Sequence, residues 1–135
     1  MRISKDKYYL DIAEVVSKRS PCLRRQYGAV IVKNDEIIST GYNGVPRDCK
    51  HCETCKRVTE QRGENYSSCP SVHAEANAII SASRRDMIGA TLYLACNEKN
   101  AFPCKDCQRV IINAGISKVI TEEKICDVLD WIGGE

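Results

Sequence analysis

Two short motifs constrain this chain more than any other feature: His-Ala-Glu at residues 73–75 and Pro-Cys-Lys-Asp-Cys at residues 103–107. Together they supply one imidazole and two thiols, the nitrogen and sulfur ligands that zinc prefers in a tetrahedral site. A catalytic zinc ion usually has three protein ligands and leaves its fourth position to water. Glu75 follows the histidine closely enough to exchange protons with that water without binding the metal. The motifs therefore predict a fold that brings His73, Cys104 and Cys107 to one point.

Each motif alone is weak evidence. A His-x-Glu sequence occurs often by chance, and a single Cys-x-x-Cys is also found in redox pairs and zinc ribbons. Both motifs here lie where a helix is expected to begin, and the partial positive charge of a helix N-terminus favours thiolate over thiol. The joint pattern is the signature of zinc-dependent nucleobase deaminases, in which the glutamate acts as general acid and base. It predicts Glu75 as the catalytic residue.

Length and charge narrow the class of protein. The 135 residues suffice for a single core, so we expect one domain over residues 1–135. The net charge of +2 gives no electrostatic support for nucleic-acid binding. The N-terminal residues lack a signal-peptide core, and no stretch is long and apolar enough to span a membrane. We therefore expect a cytoplasmic protein, and metal binding explains the high count of nine cysteines better than disulfides do.

The hydrophobic periodicity predicts an α/β fold. A helix over 6–19, with Ser4 as its N-cap, should precede a β-hairpin over 27–42. A polar, cysteine-rich insertion follows at about 45–70. The remaining predicted elements are a helix from His73 to about Arg85 capped by Ser71, a strand over 90–96, a helix that has Pro103 in its first turn and ends at Gly115, a strand over 117–120 and a helix from Ile125 to Ile132. Cys96 and Cys126 are expected to pack in the core, and Arg84 and Arg85 to end their helix.

Four segments, which together span most of the chain, carry a family resemblance. They are Ser20-Pro21-Cys22 with residues 27–32, Gly41-Tyr42-Asn43-Gly44 with Pro46, residues 72–79, and residues 102–116. These segments resemble the deoxycytidylate (dCMP) deaminases, within the cytidine deaminase-like zinc superfamily. The Gly-Tyr-Asn-Gly segment and the Ile-Asn-Ala-Gly-Ile tail resemble this branch more than the free-cytidine or tRNA deaminases.

The resemblance implies both a fold and a reaction. The fold would be a three-layer α/β/α arrangement around a mixed sheet of four to five strands, and the reaction the hydrolytic deamination of dCMP to dUMP, which supplies dTMP synthesis. Asn43 would hold the deoxyribose hydroxyl, and Ala74 would be a second substrate contact. The resemblance further implies a homo-oligomer, with a hexamer favoured, regulated by dCTP with Mg²⁺ and by dTTP. Arg84 would lie near the subunit contacts.

A second group of cysteines precedes the first motif. Its members are Cys49, Cys52, Cys55 and Cys69, with Cys22 ahead of the first strand. Two Cys-x-x-Cys spacings suit the binding of sulfur pairs to one tetrahedral metal, although free surface thiols are the alternative. By the family resemblance, a structural zinc ion would be bound by Cys22, Cys52, Cys55 and Cys69. Cys49 is the reserve ligand.

Two segments depart from the family pattern. Residues 97–102 form a longer connection before Pro103, which we expect to border the active site. Residues 121–125 lack the tyrosines that monophosphate-binding relatives direct at the phosphate. Three arginines are candidates for that role instead, Arg24, Arg25 and Arg47.

Three alternatives to a dCMP deaminase remain open. A deaminase of dCTP or of a free nucleoside would use the same motifs. A polynucleotide-editing deaminase would also share the metal site, but it needs an electropositive track with aromatic stacking surfaces, and the chain has one Trp and one Phe. A non-catalytic zinc module would leave Glu75 without a role.

Overall fold

The computed structural model describes residues 1–55 and 69–132 of the chain. Within those ranges, none of the helices has the length and apolar character needed to cross a membrane. The elements, in chain order, are α1 Lys5–Ser17, β1 Tyr27–Lys33, β2 Glu36–Tyr42, α2 Ala74–Ile80, α3 Arg84–Met87, β3 Thr91–Cys96, α4 Lys105–Ala114, β4 Lys118–Ile120, β5 Ile125–Asp127 and a 3-10 helix Val128–Trp131.

The five strands form one mixed sheet in the order β2-β1-β3-β4-β5. Strands β3 and β4 are parallel and are joined by α4, because a parallel pair needs a crossover connection. The other neighbouring strands are antiparallel. The β1–β2 hairpin turns at Asn34 and Asp35, whose φ angles of 53° and 60° are those of the primed turns that match strand twist. The predicted hairpin is thereby confirmed.

Side chains alternate between the two faces of the sheet and give it two cores. On one face, Val30 and Tyr93 pack against Tyr9 and Ala13 of α1. On the other face, alternating strand residues such as Ile31 pack with residues of α2 and α4; the fully buried members of that core include Ala29, Ile31, Ala74, Ala78, Leu92, Leu94, Ile111 and Val119. The chain therefore has α1, the sheet and the α2/α4 pair as three layers, which confirms the predicted α/β/α fold.

The helix predicted from His73 to Arg85 is instead two helices. His73 itself is the N-cap of α2, not Ser71, and α2 ends at Ile80. The Oγ atom of Ser83 accepts a hydrogen bond from the Asp86 amide and starts α3. Serine side chains compete with the helical backbone for hydrogen bonds, which explains the break at this serine-flanked point. Arg84 and Arg85 consequently begin α3 rather than end a longer helix.

The predicted terminal helix is also wrong. Residues 125–127 form β5, in which Cys126 pairs with Val119 of β4, so Cys126 lies on a strand. Asp127 then caps the 3-10 helix by accepting a hydrogen bond from the amide of Leu129. A short apolar run does not distinguish helix from strand by periodicity, and pairing with β4 decides the outcome. Pro103 likewise precedes α4, whose N-cap is Cys104.

Helix α2 lies unusually close to β2. A Cβ atom placed on Gly41 would be 2.5 Å from the carbonyl oxygen of Ala74, so only glycine allows this approach. Two side chains fasten the helix there: Ser39 Oγ donates to the Ala78 carbonyl at 2.7 Å, and Asn77 Nδ2 donates to the Tyr42 carbonyl at 2.8 Å. The position of α2, which follows His73, is therefore set by its contact with β2.

The first prediction tests this contact. Gly41→Ala should lower the free energy of unfolding by about 1–3 kcal/mol, because the added methyl group meets helix backbone that cannot rotate away. Thr40→Ala is the matched control on the same strand, since Thr40 is exposed, and should cost less than about 1 kcal/mol. Urea denaturation of both variants measures the difference. Equal losses would mean that the close approach does not constrain α2.

Candidate active site

The structure brings together the three residues predicted to bind zinc. The Nδ1 atom of His73 lies 3.5 Å from Cys104 Sγ and 3.3 Å from Cys107 Sγ, and the three ligand atoms all fall within 4.8 Å of one another. With bonds of about 2.1 Å to nitrogen and 2.3 Å to sulfur, a tetrahedral zinc ion separates such ligands by about 3.6 Å. The residues present therefore fit this metal.

Two helix starts position the cluster. His73 is the N-cap of α2 in an extended conformation, and its side chain makes no capping hydrogen bond, so the ring is directed to the thiols. Cys104 is the N-cap of α4, and its sulfur accepts a hydrogen bond from the Cys107 amide at 3.5 Å. An antiparallel bridge between Gly44 and Val72 holds the backbone immediately before His73. One ligand of each motif thus occupies the N-cap position of a helix.

The two thiols have opposite pKa shifts. A hydrogen bond with Cys107, aided by His73, lowers the pKa of Cys104 to about 4. The same contact with Cys104, together with burial, raises the pKa of Cys107. The pair therefore tends to hold one proton between two sulfurs. Zinc ligation requires both sulfurs as thiolates, so metal binding here would release that proton.

Glu75 lies in the first turn of α2 and is only 4% exposed. Burial raises the pKa of Glu75 to about 7, against the opposing effects of a backbone hydrogen bond and of His73. A buried carboxyl group needs either a partner or a proton, and such groups are characteristic of acid–base sites. The placement of Glu75 agrees with its predicted role as a proton carrier beside the ligand cluster.

One cleft is lined by His73 and Cys104 of the cluster, by Glu75 and by several polar groups. Its volume, including the open mouth, is about 620 Å³. The lining residues are Cys22, Arg24, Arg25, Tyr27, Asn43, Cys55, Cys69, Ser71, His73, Glu75, Phe102 and Cys104. Two of the predicted metal ligands, the predicted proton carrier, a buried amide and two arginines therefore line a common space.

Comparison with known proteins accounts for this combination. The sequence model of the cytidine and deoxycytidylate deaminase zinc-binding region matches residues 3–123. The chain belongs to this deaminase family. Because the matched region extends from the start of α1 past β4, it includes His73, Glu75 and both motif cysteines.

Several members of the family are close in sequence. The deoxycytidylate deaminase of Mycobacterium phage D29 is 41% identical over 122 residues, which cover 85% of this chain and 91% of that protein. The deoxycytidylate deaminase of Saccharomyces cerevisiae is 38% identical over 122 residues, which cover 89% of this chain and 38% of the yeast protein. The family resemblance in the sequence motifs is therefore confirmed.

Solved structures show the same fold. The dCMP deaminase of cyanophage S-TIM5, crystallised with dCMP and dUMP, has a TM-score of 0.68 at 29% identity and covers 90% of this chain and 82% of its own. The cytidine deaminase of Burkholderia pseudomallei has a TM-score of 0.66 at 16% identity, covering 97% of this chain and 98% of its own. The second likeness concerns the fold alone.

Asn43 is buried at the edge of the deaminase cleft. Its Oδ1 atom accepts a hydrogen bond from the Tyr27 amide, and its Nδ2 atom donates to the Arg25 carbonyl, both at 2.8 Å. Its own carbonyl accepts a hydrogen bond from Ser20 Oγ. A carboxamide has two N–H groups and two acceptor lone pairs, so Asn43 can make these bonds and still contact a sugar hydroxyl. Its structural role was not predicted from the sequence.

The other predicted substrate contacts differ in placement. Arg24 and Arg25 line the cleft, whereas Arg47 lines a separate depression beside β2 with Cys49 and His51. The side chain of Ala74 is fully buried in the core. A substrate contact at that position would have to use the backbone, and it stays a prediction.

The connection over 97–102 borders the cleft through Phe102. Its ring meets Trp131 edge-on at 5.7 Å, and Lys124 Nζ lies 5.0 Å from the ring centroid. The sequence predicted that this segment would border the active site, but it did not single out Phe102 as a lining residue. The available signal was an aromatic residue directly before the Pro-Cys-x-x-Cys motif.

The proposed structural zinc ligands are only partly assembled. Cys22, Cys55 and Cys69 line one cleft. Within the described ranges, however, no three of the four predicted ligands have their sulfur atoms within 4.8 Å of one another, as the ligand atoms of His73, Cys104 and Cys107 do. The segment that connects Cys55 to Cys69, at 56–68, lies outside the described residues. Cys49 is exposed. The second metal site stays a prediction.

Proposed function

We propose that this chain catalyses the hydrolytic deamination of dCMP to dUMP and ammonia. The observation that carries the proposal is the placement of Glu75, buried in the cleft that His73 and Cys104 line, next to the cluster that these two residues form with Cys107. A purely structural zinc site would have no use for a buried carboxyl group beside its ligands. Relatives named deoxycytidylate deaminase, up to 41% identical, support dCMP as the substrate.

Four residues at the cleft would carry out this reaction. His73, Cys104 and Cys107 would hold a zinc ion, which when bound supplies Lewis acidity that makes water acidic near neutral pH. Glu75 accepts a proton from the water that attacks C4 of the cytosine ring. The same carboxyl group then delivers protons to the ring nitrogen and to the departing amine, so water is consumed and ammonia leaves.

The cleft also offers groups that would bind the sugar and the phosphate. Asn43 is held rigidly by the backbone of residues 25 and 27, so it can offer a fixed amide to the deoxyribose hydroxyl. Arg24 and Arg25 are the cleft residues with the charge for a phosphate. They take the place that tyrosines after β4 have in the family pattern.

Further features belong to the same proposal. A second, structural zinc ion would be bound by Cys22, Cys52, Cys55 and Cys69, which would anchor the long connection between β2 and α2. We also infer from family membership a cytoplasmic homo-oligomer, with a hexamer favoured, that responds to dCTP with Mg²⁺ and to dTTP. Arg84 would then approach a neighbouring subunit.

The metal content is the second prediction. Wild-type protein should contain two zinc ions per chain, and Cys104→Ser and Cys69→Ser should each lose one. Loss of the structural ion should chiefly lower stability, since such ions contribute directly to folding. Cys126→Ser, on β5, is the control and should retain both ions. Elemental analysis of purified protein measures all four samples, and one zinc ion per wild-type chain would refute the structural site.

The third prediction concerns Glu75. Glu75→Gln should retain the catalytic zinc ion, because no ligand is removed, but should lose at least ~10²-fold in kcat as a missing acid–base group does. Ammonia release from dCMP, together with the zinc content, measures both properties. Glu14→Gln, an exposed change on α1, should have wild-type activity. Near-normal turnover by Glu75→Gln would exclude the proposed proton carrier.

The fourth prediction concerns the phosphate. Charge-assisted hydrogen bonds contribute roughly 1.5–3 kcal/mol each, so kcat/KM for dCMP should exceed that for deoxycytidine by about tenfold or more. Arg25→Gln should reduce this preference, whereas Arg47→Gln should not, because Arg47 lies outside the cleft. Equal kcat/KM for the two substrates would leave the deaminase chemistry intact and overturn dCMP as the substrate.

A further inference from the structure

The guanidinium group of Arg25 is only partly satisfied by the protein. Its Nε atom forms an ion pair with Glu98 at 2.9 Å, and Tyr27 also interacts with the group. Its Nη1 atom is buried and has no hydrogen-bond partner among the described residues. A buried N–H donor without a partner is costly, and Arg25 lines the cleft that holds Glu75. The positive charge of Arg25, a cleft-lining residue, therefore suits an anionic group of the substrate.

Glu98 is held in place by the start of the connection that carries it. The Gln26 amide donates to Asn97 Oδ1, and the Asn97 amide donates to the Gln26 carbonyl, both at 3.0 Å. The Glu98 amide in turn donates to Cys96 Sγ. The two bonds of Asn97 tie the residue before Glu98 to the residue after Arg25, and the third bond holds Glu98 to the end of β3. The backbone around Glu98 is consequently fixed close to Arg25, and this favours the ion pair between the two side chains.

The two partners differ in exposure. The Arg25 side chain is 21% exposed and the Glu98 side chain 51% exposed. Glu98 also shares a surface depression with Glu122 and Glu123, so the outer side of this connection is acidic. A phosphate bound at Arg25 would therefore have a carboxylate next to it on the solvent side. Any further phosphate groups would have to extend past that carboxylate.

We propose that Glu98 is a specificity-determining residue that restricts the site to nucleoside monophosphates and rejects triphosphates. The inference rests on the proposed function, because it assumes that Arg25 meets the substrate phosphate. Arg24 and Arg25 together with Glu98 give a local charge of +1, which suits a monophosphate of about −1.5 to −2. A triphosphate adds negative charge beside Glu98, and like charges placed together at a binding site are strongly unfavourable. Glu98 also occupies Nε, which leaves Arg25 only its inner donors.

The test compares substrates across charge variants. Ammonia release gives kcat/KM for dCMP, dCTP and deoxycytidine, each assayed separately, for wild type, Glu98→Gln, Glu98→Asp and Glu36→Gln. The ratio of dCMP to dCTP should fall on the order of tenfold in Glu98→Gln, because the repelling charge is lost. Glu98→Asp keeps the charge and should keep most of the ratio. Glu36→Gln makes the same charge change on the exposed start of β2 and should leave the ratio unchanged.

Turnover of deoxycytidine reports whether each variant retains an intact site, and Glu98→Ala provides a second neutral variant if the amide disturbs the connection. An unchanged dCMP to dCTP ratio in the neutral variants would overturn the proposal. An equal fall in Glu98→Asp and Glu98→Gln would also overturn it, since that result would indicate a packing role. If the wild-type enzyme does not prefer dCMP over deoxycytidine, the proposed function itself fails, whatever the variants do.

Discussion

The structure depends on the convergence of two helix N-termini at one point. Helices α2 and α4 follow His73 and Cys104, which are their N-cap residues, and the His73 ring nitrogen lies 3.5 Å from the Cys104 sulfur. Positive helix ends beside a metal cation would repel it, but two thiolates supply compensating negative charge. The glycine contact at β2 and the crossover from β3 to β4 then keep the two helices at this distance. The geometry of the ligand cluster therefore depends on how the sheet positions the two helices.

The sequence was most informative where residues act close together along the chain. The α1 helix and the β1–β2 hairpin followed from periodicity and turn residues, and His73, Glu75, Cys104 and Cys107 from motif spacing. The break between α2 and α3 and the strand β5 were not predicted, because short segments take their conformation from tertiary partners. The Arg25–Glu98 ion pair joins two irregular segments far apart in sequence. No local pattern could have indicated it.

The cleft shows how one residue can serve both fold and function. Asn43 ties the end of β2 to the residues around the start of β1, and it is also the residue predicted to hold the deoxyribose hydroxyl. A substitution there would remove two hydrogen bonds to backbone groups as well as the predicted substrate contact. Loss of activity at such a position does not by itself identify a substrate ligand. Arg25 raises the same question, because it pairs with Glu98 and also lines the cleft.

The contact between Phe102 and Trp131 has a consequence for synthesis of the chain. The N-terminal part of a chain leaves the ribosome before the C-terminal part, so contacts between early residues can form first. All three predicted zinc ligands are outside the ribosome once Cys107 has left it, whereas Trp131, which packs against Phe102, lies further along the chain and emerges later. A nascent chain could therefore capture metal before its cleft has a finished shape. Metal binding would then precede the packing of Trp131 against Phe102, which completes the wall of the cleft.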